Sequence, residues 1–108
     1  MTVEELSGLY YLRKLIEIEE QCAADNRADD EWRDQLLDRW RREERRLTEY
    51  IDSVPDVQVR LILLLRYVKL MSWDQVAAKV GGGNTAQGVM TTALRYIRRS
   101  AGNEKTKQ

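Results

Sequence analysis

The chain has no histidine, no phenylalanine, a single cysteine and a single proline. Without histidine, the side chain that most often acts as a base near neutral pH is missing. A nitrogen/sulfur zinc site would have only Cys22 to use. One cysteine also rules out an intrachain disulfide. Cys22 lies in an apolar helical pattern with no evident base beside it, so a Cys–His nucleophile is excluded. The carboxylates stand at helical spacings beside arginines, which suits ion pairing better than acid–base work. The longest aliphatic run, Leu61 to Leu65, sits between Arg60 and Arg66 and is far too short to span a bilayer. The start, MTVEELSG, is acidic and carries no hydrophobic signal region. These absences lead us to expect no enzyme, no metal or other cofactor, no membrane, and a cytoplasmic protein of a bacterial host cell.

What the chain does have is charge, in equal amounts and unequally placed. Eighteen basic and eighteen acidic residues cancel to zero over 108 positions. Residues 1–54 hold fifteen acids and nine bases, a net of −6, while 55–108 hold nine bases and three acids, a net of +6. An acidic half joined to a basic half is a hint of a nucleic-acid-binding end. Heavy Leu, Arg, Glu and Ala usage with few breakers favours helix over sheet.

The apolar spacing divides the chain into five expected helices. The first runs from Thr2 to Arg27. Val3, Leu6, Leu9, Tyr10, Ile16 and Ala23 lie on one side, and Tyr11, Leu15, Ile18 and Cys22 lie toward another. A helix apolar on two sides wants two partners, either inside its own domain or across a subunit boundary. A polar turn follows at residues 26–30, with Asp29 or Asp30 as N-cap. The second helix runs to about Ser53. Its seam of Leu36, Trp40, Leu47, Tyr50 and Val54, with Glu43 included, has heptad steps. Together the two predict an antiparallel hairpin over 1–54. Leu9, Tyr10, Ile16, Leu36, Trp40, Leu47 and Tyr50 are the candidate residues for a homodimer or partner interface.

Pro55 ends the second helix, and Ser53 to Asp56 gives a start signal with Ser53 as N-cap. The third helix, about Pro55 to Leu70, is apolar on almost every side and is the expected buried centre. Ser72 and Gln75 form a capping box for a short helix, Trp73 to Val80, with Val76, Ala77 and Val80 inward. Gly81, Gly82 and Gly83 follow, then Asn84 as a candidate cap for a fifth helix from Thr85 to about Arg99. Residues 100–108 read as a disordered tail.

A short helix, a tight turn and a longer helix make a helix-turn-helix. At 100° per residue, Ala86, Val89, Met90, Ala93 and Ile97 fall on one side of the fifth helix, with Leu94 at the border. Gly88, Thr91, Thr92, Arg95 and Arg99 fall on the other, flanked by Gln87 and Arg98, with Thr85 near the start and no acid among them. That chemistry fits a helix entering the major groove of double-stranded DNA. Lys79, Arg95, Arg98 and Arg99 would meet phosphates or guanines, and Gln87, Thr91 and Thr92 base edges. Asn84 and the turn amides lie where a phosphate could approach, and Gly88 permits either close approach to DNA or close packing. The plainer reading is an amphipathic helix with a solvated face, its arginines favoured by the helix dipole. A nucleotide-binding P-loop is excluded, since no strand precedes the glycines and no lysine follows them.

The stretch RLILLLRYVKLMSWDQVAAKV resembles region 4 of bacterial sigma factors. Its elements here are Arg60, the Leu61–Leu65 run, Arg66-Tyr67, Ser72 and Gln75-Val76-Ala77. The ending VMTTALRYIRR is similar to the close of that family's recognition helix, at Ala93, Leu94, Arg95, Ile97 and Arg98. Ser72-Trp73 and the leading helices resemble small phage-encoded proteins with a region 4-like C-terminal domain. The resemblance covers about Ser53 to Arg99. The pattern has a glycine or polar residue before the cap where this chain has Leu70 and Met71. It implies an all-α fold with a three-helix C-terminal part over 55–99, and a DNA-binding transcription regulator of phage or prophage type. On the reading as a regulator, the hairpin over 1–54 would mediate dimerisation or contact RNA polymerase. Two other readings stay open. One is a protein-interaction or inhibitor module that uses the acidic hairpin and no longer reads DNA. The other is the DNA-recognition subunit of a phage packaging machine.

Overall fold

The computed structural model describes the backbone of residues 1–26 and 31–106 and the side chains of 1–22 and 31–101. Every regular element among them is helical: α1 (Val3–Ser7), α2 (Leu9–Asn26), α3 (Glu31–Asp52), α4 (Val57–Leu63, continuing as a π-helical turn over Leu64–Val68), α5 (Trp73–Val80) and α6 (Ala86–Thr106). Of the expected turn at residues 26–30, Asn26 is the last residue of α2, and 27–30, with the capping aspartate, lie outside the described residues.

The first expected helix is two. α1 is capped by Thr2, whose hydroxyl accepts the Glu5 N–H at 3.2 Å, and the chain bends at Gly8 before α2 begins. Leu6 and Leu9, three residues apart on either side of the bend, both have zero exposure. α2 and α3 then run antiparallel, as the order of their ion pairs requires: Arg13 with Glu44 at 2.9 Å, Glu20 with Arg41 at 2.6 Å, and Glu19 with Arg33 at 3.3 Å.

The seam of α3 is rotated from the expected one. Leu37, Leu47, Ile51 and Val54 are buried, while Leu36, Trp40 and Tyr50 are only half-buried. Adjacent apolar pairs, Leu36/Leu37 and Tyr50/Ile51, allow either register. The observed one turns Glu44 toward Arg13 of α2 and leaves Glu43 to pair with Arg46 on its own helix. Glu43, which the heptad steps placed in the seam, is therefore at its edge.

Ser53 does not cap α4. Its hydroxyl donates to the Tyr50 carbonyl at 2.9 Å, and Asp56 caps instead, accepting the N–H of Gln58 and Val59 at 2.9 and 3.3 Å. Asp56 directly precedes the first helical residue, which is where a side-chain oxygen reaches the free N–H groups. α4 is central as expected, with Val59, Ile62, Leu63 and Tyr67 buried. Its last turn widens: the Lys69 N–H reaches Leu64 O and the Met71 N–H reaches Leu65 O, both at 3.1 Å. Leu70 follows at φ 57, the one described non-glycine residue in the left-handed region. Arg66 holds this elbow, donating to the Met71 carbonyl at 3.0 Å and stacking 4.6 Å over the Trp73 ring.

One hydrophobic cluster draws on both halves of the chain. Leu6, Leu9, Leu47, Ile51 and Val54 meet Val59, Ile62, Leu63 and Tyr67 of the α4 segment, Val76 and Ala77 of α5, and Val89, Ala93 and Ile97 of α6. Tyr50 adds a second tie, its ring 6.3 Å from Tyr96 and its hydroxyl bonded to Ser100. α6 runs on past Arg99 to Thr106, so the expected tail begins inside the helix, since residues 100–106 contain no proline to stop it.

Candidate nucleic-acid interface

Three consecutive positive φ angles explain the three glycines. Gly81, Gly82 and Gly83 sit at φ 71, 63 and 80, a run that residues with a Cβ rarely adopt. Gly81 closes α5 through its N–H to Ala77 O at 3.0 Å. At Gly82 an added Cβ would lie 3.9 Å from the Asn84 side chain, and at Gly81 and Gly83 it would meet nothing within 4 Å. The requirement is therefore conformational, with no bound group needed to account for it.

The turn is sealed by Asn84, and here the expected roles are exchanged. The Asn84 side-chain amide donates to Gly81 O at 2.6 Å, so it faces back into the turn and does not cap α6. Thr85 caps it, its hydroxyl accepting the Gly88 N–H at 3.0 Å. Gly88 follows from that cap. A Cβ there would come within 3.1 Å of the Thr85 hydroxyl, so glycine leaves the cap unobstructed. The Thr92 hydroxyl donates back to Gly88 O at 2.9 Å. Ser72 and Gln75 form the expected capping box at the start of α5.

α6 is amphipathic as its spacing predicts. Val89, Ala93 and Ile97 are buried at 2 % exposure or less. Gln87, Gly88, Thr91, Thr92, Arg95, Arg98 and Arg99 are exposed, as are Thr85, Asn84 and Lys79 of the adjoining turn and α5. Gln87, Thr91, Arg95, Arg98 and Arg99 line one shallow groove along this helix, together with Met90 and Leu94. Those two half-buried residues give the groove an apolar floor that sequence reasoning missed. Leu94 stood at the border between faces in the helical projection and Met90 on the apolar side, and angle alone does not decide exposure.

Most basic residues of the hairpin, though not Arg39 or Arg45, differ from those of the α6 face in being paired. In the hairpin, Arg13, Arg33, Arg41, Arg42 and Arg46 are each paired with a carboxylate. Arg46 sits between Glu5 and Glu43, and its hydrogen bonds hold both carboxyls below their ordinary range while its own guanidinium is held charged. Lys79, Arg95, Arg98 and Arg99 form no ion pair with any described residue. Their charge is free to meet an anion from outside.

The candidate interface residues of the hairpin are not on one free surface. Leu9 and Leu47 are buried in the chain's own core at 0 and 2 % exposure, which corrects their assignment to a subunit boundary. Tyr50 is engaged with Tyr96 and Ser100 of α6. Tyr10, Ile16, Leu36 and Trp40 are half-buried. No described helix is long and apolar enough to cross a membrane. Among the described residues no group of three or more potential ligands is placed to hold a metal.

No protein-family model, curated protein or solved structure matches this chain.

Proposed function

We propose that the chain is a DNA-binding transcription regulator of phage or prophage type. α5, the glycine turn and α6 act as a sigma region 4-like helix-turn-helix, and α6 is the recognition helix. The observation that carries this reading is the outer face of α6: three arginines, two threonines and a glutamine, acid-free, exposed and without internal ion pairs. Arg95, Arg98, Arg99 and Lys79 supply phosphate or guanine contacts, and Gln87, Thr91 and Thr92 reach base edges. Leu70 supports the resemblance to region 4, because its left-handed backbone falls in the stretch before the cap where that pattern carries a glycine or polar residue. The hairpin serves a second copy or RNA polymerase, in the cytoplasm of a bacterial host.

The rival reading, an acidic hairpin that captures a protein, loses weight from the ion pairs: Glu5, Glu19, Glu20, Glu43 and Glu44 are already engaged by arginines. The test is binding to random-sequence duplex DNA across a salt series, beside an Arg95/Arg98/Arg99→Ala variant. Each lost phosphate contact removes roughly one unit of the log–log salt slope, so the triple variant should lose up to about three. No binding by the wild type at low salt would sink the DNA reading. DNA binding by a ring-sized assembly would favour a packaging subunit over a regulator.

A further inference from the structure

The face of α2 opposite α3 is apolar and bare. Tyr11, Leu15 and Ile18 are 60, 48 and 55 % exposed, and Cys22 is exposed beyond them. Their steps of four, three and four residues make a heptad seam, with Tyr11 and Ile18 at d and Leu15 and Cys22 at a. The opposite face of α2 is already occupied, through Arg13 and Glu20, by Glu44 and Arg41 of α3. No described part of the chain covers the outer seam.

The charges beside the seam say what does. Lys14 stands at g and Glu19 at e. In a parallel pair of helices, g of one chain faces e of the other five residues further on. Lys14 therefore meets Glu19 of a second copy, and the contact repeats across the two-fold axis. An antiparallel pair would set Lys14 against Gln21 and Leu12 against Glu19, with no opposite charges in either contact. Both groups remain reachable: the side chains of Lys14 and Glu19 keep 51 and 33 % exposure despite their intrachain pairs with Glu17 and Arg33.

We propose that the outer face of α2 binds the same face of a second copy of this chain in parallel, through Tyr11, Leu15, Ile18 and Cys22, with Lys14 and Glu19 paired across it. The pairing is isologous and closes at two subunits. It does not depend on DNA binding. Four layers span about 17 Å at 1.5 Å per residue, a short seam, so the dimer is expected to dissociate on dilution.

Sedimentation equilibrium of the full chain, free of DNA, over roughly 1 to 200 µM tests it. The mass should rise from 12.7 kDa toward twice that value. Leu15→Glu should hold it at the monomer value throughout, with the helical signal unchanged and a melting temperature equal to that of the wild type at concentrations where both are monomeric, because Leu15 is already half in water. Leu61→Glu, at another exposed leucine (39 %), should leave dimerisation intact. A mild thiol oxidant should cross-link the wild type through Cys22, since a parallel pair brings facing a positions within disulfide reach. The proposal fails if the wild type is monomeric over the whole range, if it forms a larger ring, or if the dimer survives Leu15→Glu. It also fails if Cys22 joins only to an introduced Tyr11→Cys, the mark of an antiparallel pair.

Discussion

Leu70 and Gly81 both hold a backbone with positive φ, at 57 and 71, and only one of them has the side chain for it. Leucine in the left-handed region costs about 1–2 kcal/mol, because its Cβ crowds the following carbonyl oxygen. Leu70 is 43 % exposed, so its side chain recovers little of that through burial. Leu70→Gly should therefore stabilise the protein by about 0.5–1 kcal/mol after the greater freedom of glycine in the unfolded chain is subtracted. Gly81 combines φ 71 with ψ −158, a region that essentially only glycine occupies. Gly81→Ala should cost about 2 kcal/mol although open space surrounds the position. Urea unfolding of the two variants checks both signs. A destabilised Leu70→Gly would mean that the Leu70 side chain contributes packing its exposure does not suggest. The glycine run was readable in the sequence as a tight turn. The strain at Leu70 was not, because nothing in a leucine codon predicts a left-handed backbone.

Around Arg46, which ties α1 to α3, the pairing of charges depends on pH in a known direction. Glu5 and Glu43 are held below the ordinary carboxylate value of 4.5, chiefly by hydrogen bonds from Arg46. A carboxyl depressed on folding adds stability above its unfolded value, and that contribution is lost as pH falls through the folded one. The urea midpoint should therefore fall as pH drops below 4.5, and the fall should be shallower in Arg46→Ala. Equal slopes would show that water screens these exposed pairs fully. The existence of the helices was legible, since spacing and caps mark them, and α5 has its expected bounds, Trp73–Val80. Their registers were harder to read. The seam of α3 had two adjacent apolar solutions, and the observed one buries Leu37 and Ile51 and sets Glu44 beside Arg13 of α2. Likewise Asp56 and Thr85 took the capping roles that Ser53 and Asn84 were expected to fill, because a cap depends on which residue is one step outside the helix.

At the scale of the whole molecule, the radius of gyration of 16.6 Å exceeds the roughly 13 Å of a compact chain of this length, and the extents are 52 × 38 × 19 Å. The shape is elongated, yet the core is shared. Leu6, Leu9, Leu47, Ile51 and Val54 close over the α4–α6 segment. A fragment of residues 55–108 should therefore lack a cooperative thermal transition, and calorimetry beside the full chain checks it. A sharp transition in the fragment would show that α4–α6 can bury enough surface alone. By itself the sequence determined the all-helical class, the glycine turn, the acidic and basic halves, and the polar face of α6. Each of those depends on local backbone preference, periodicity or composition. Only the tertiary structure decided which seam of α3 faces inward, that Leu9 and Leu47 belong to the core, and that one side of α2 is left bare. Burial is settled by what the rest of the chain can reach, and periodicity marks a face without naming what covers it.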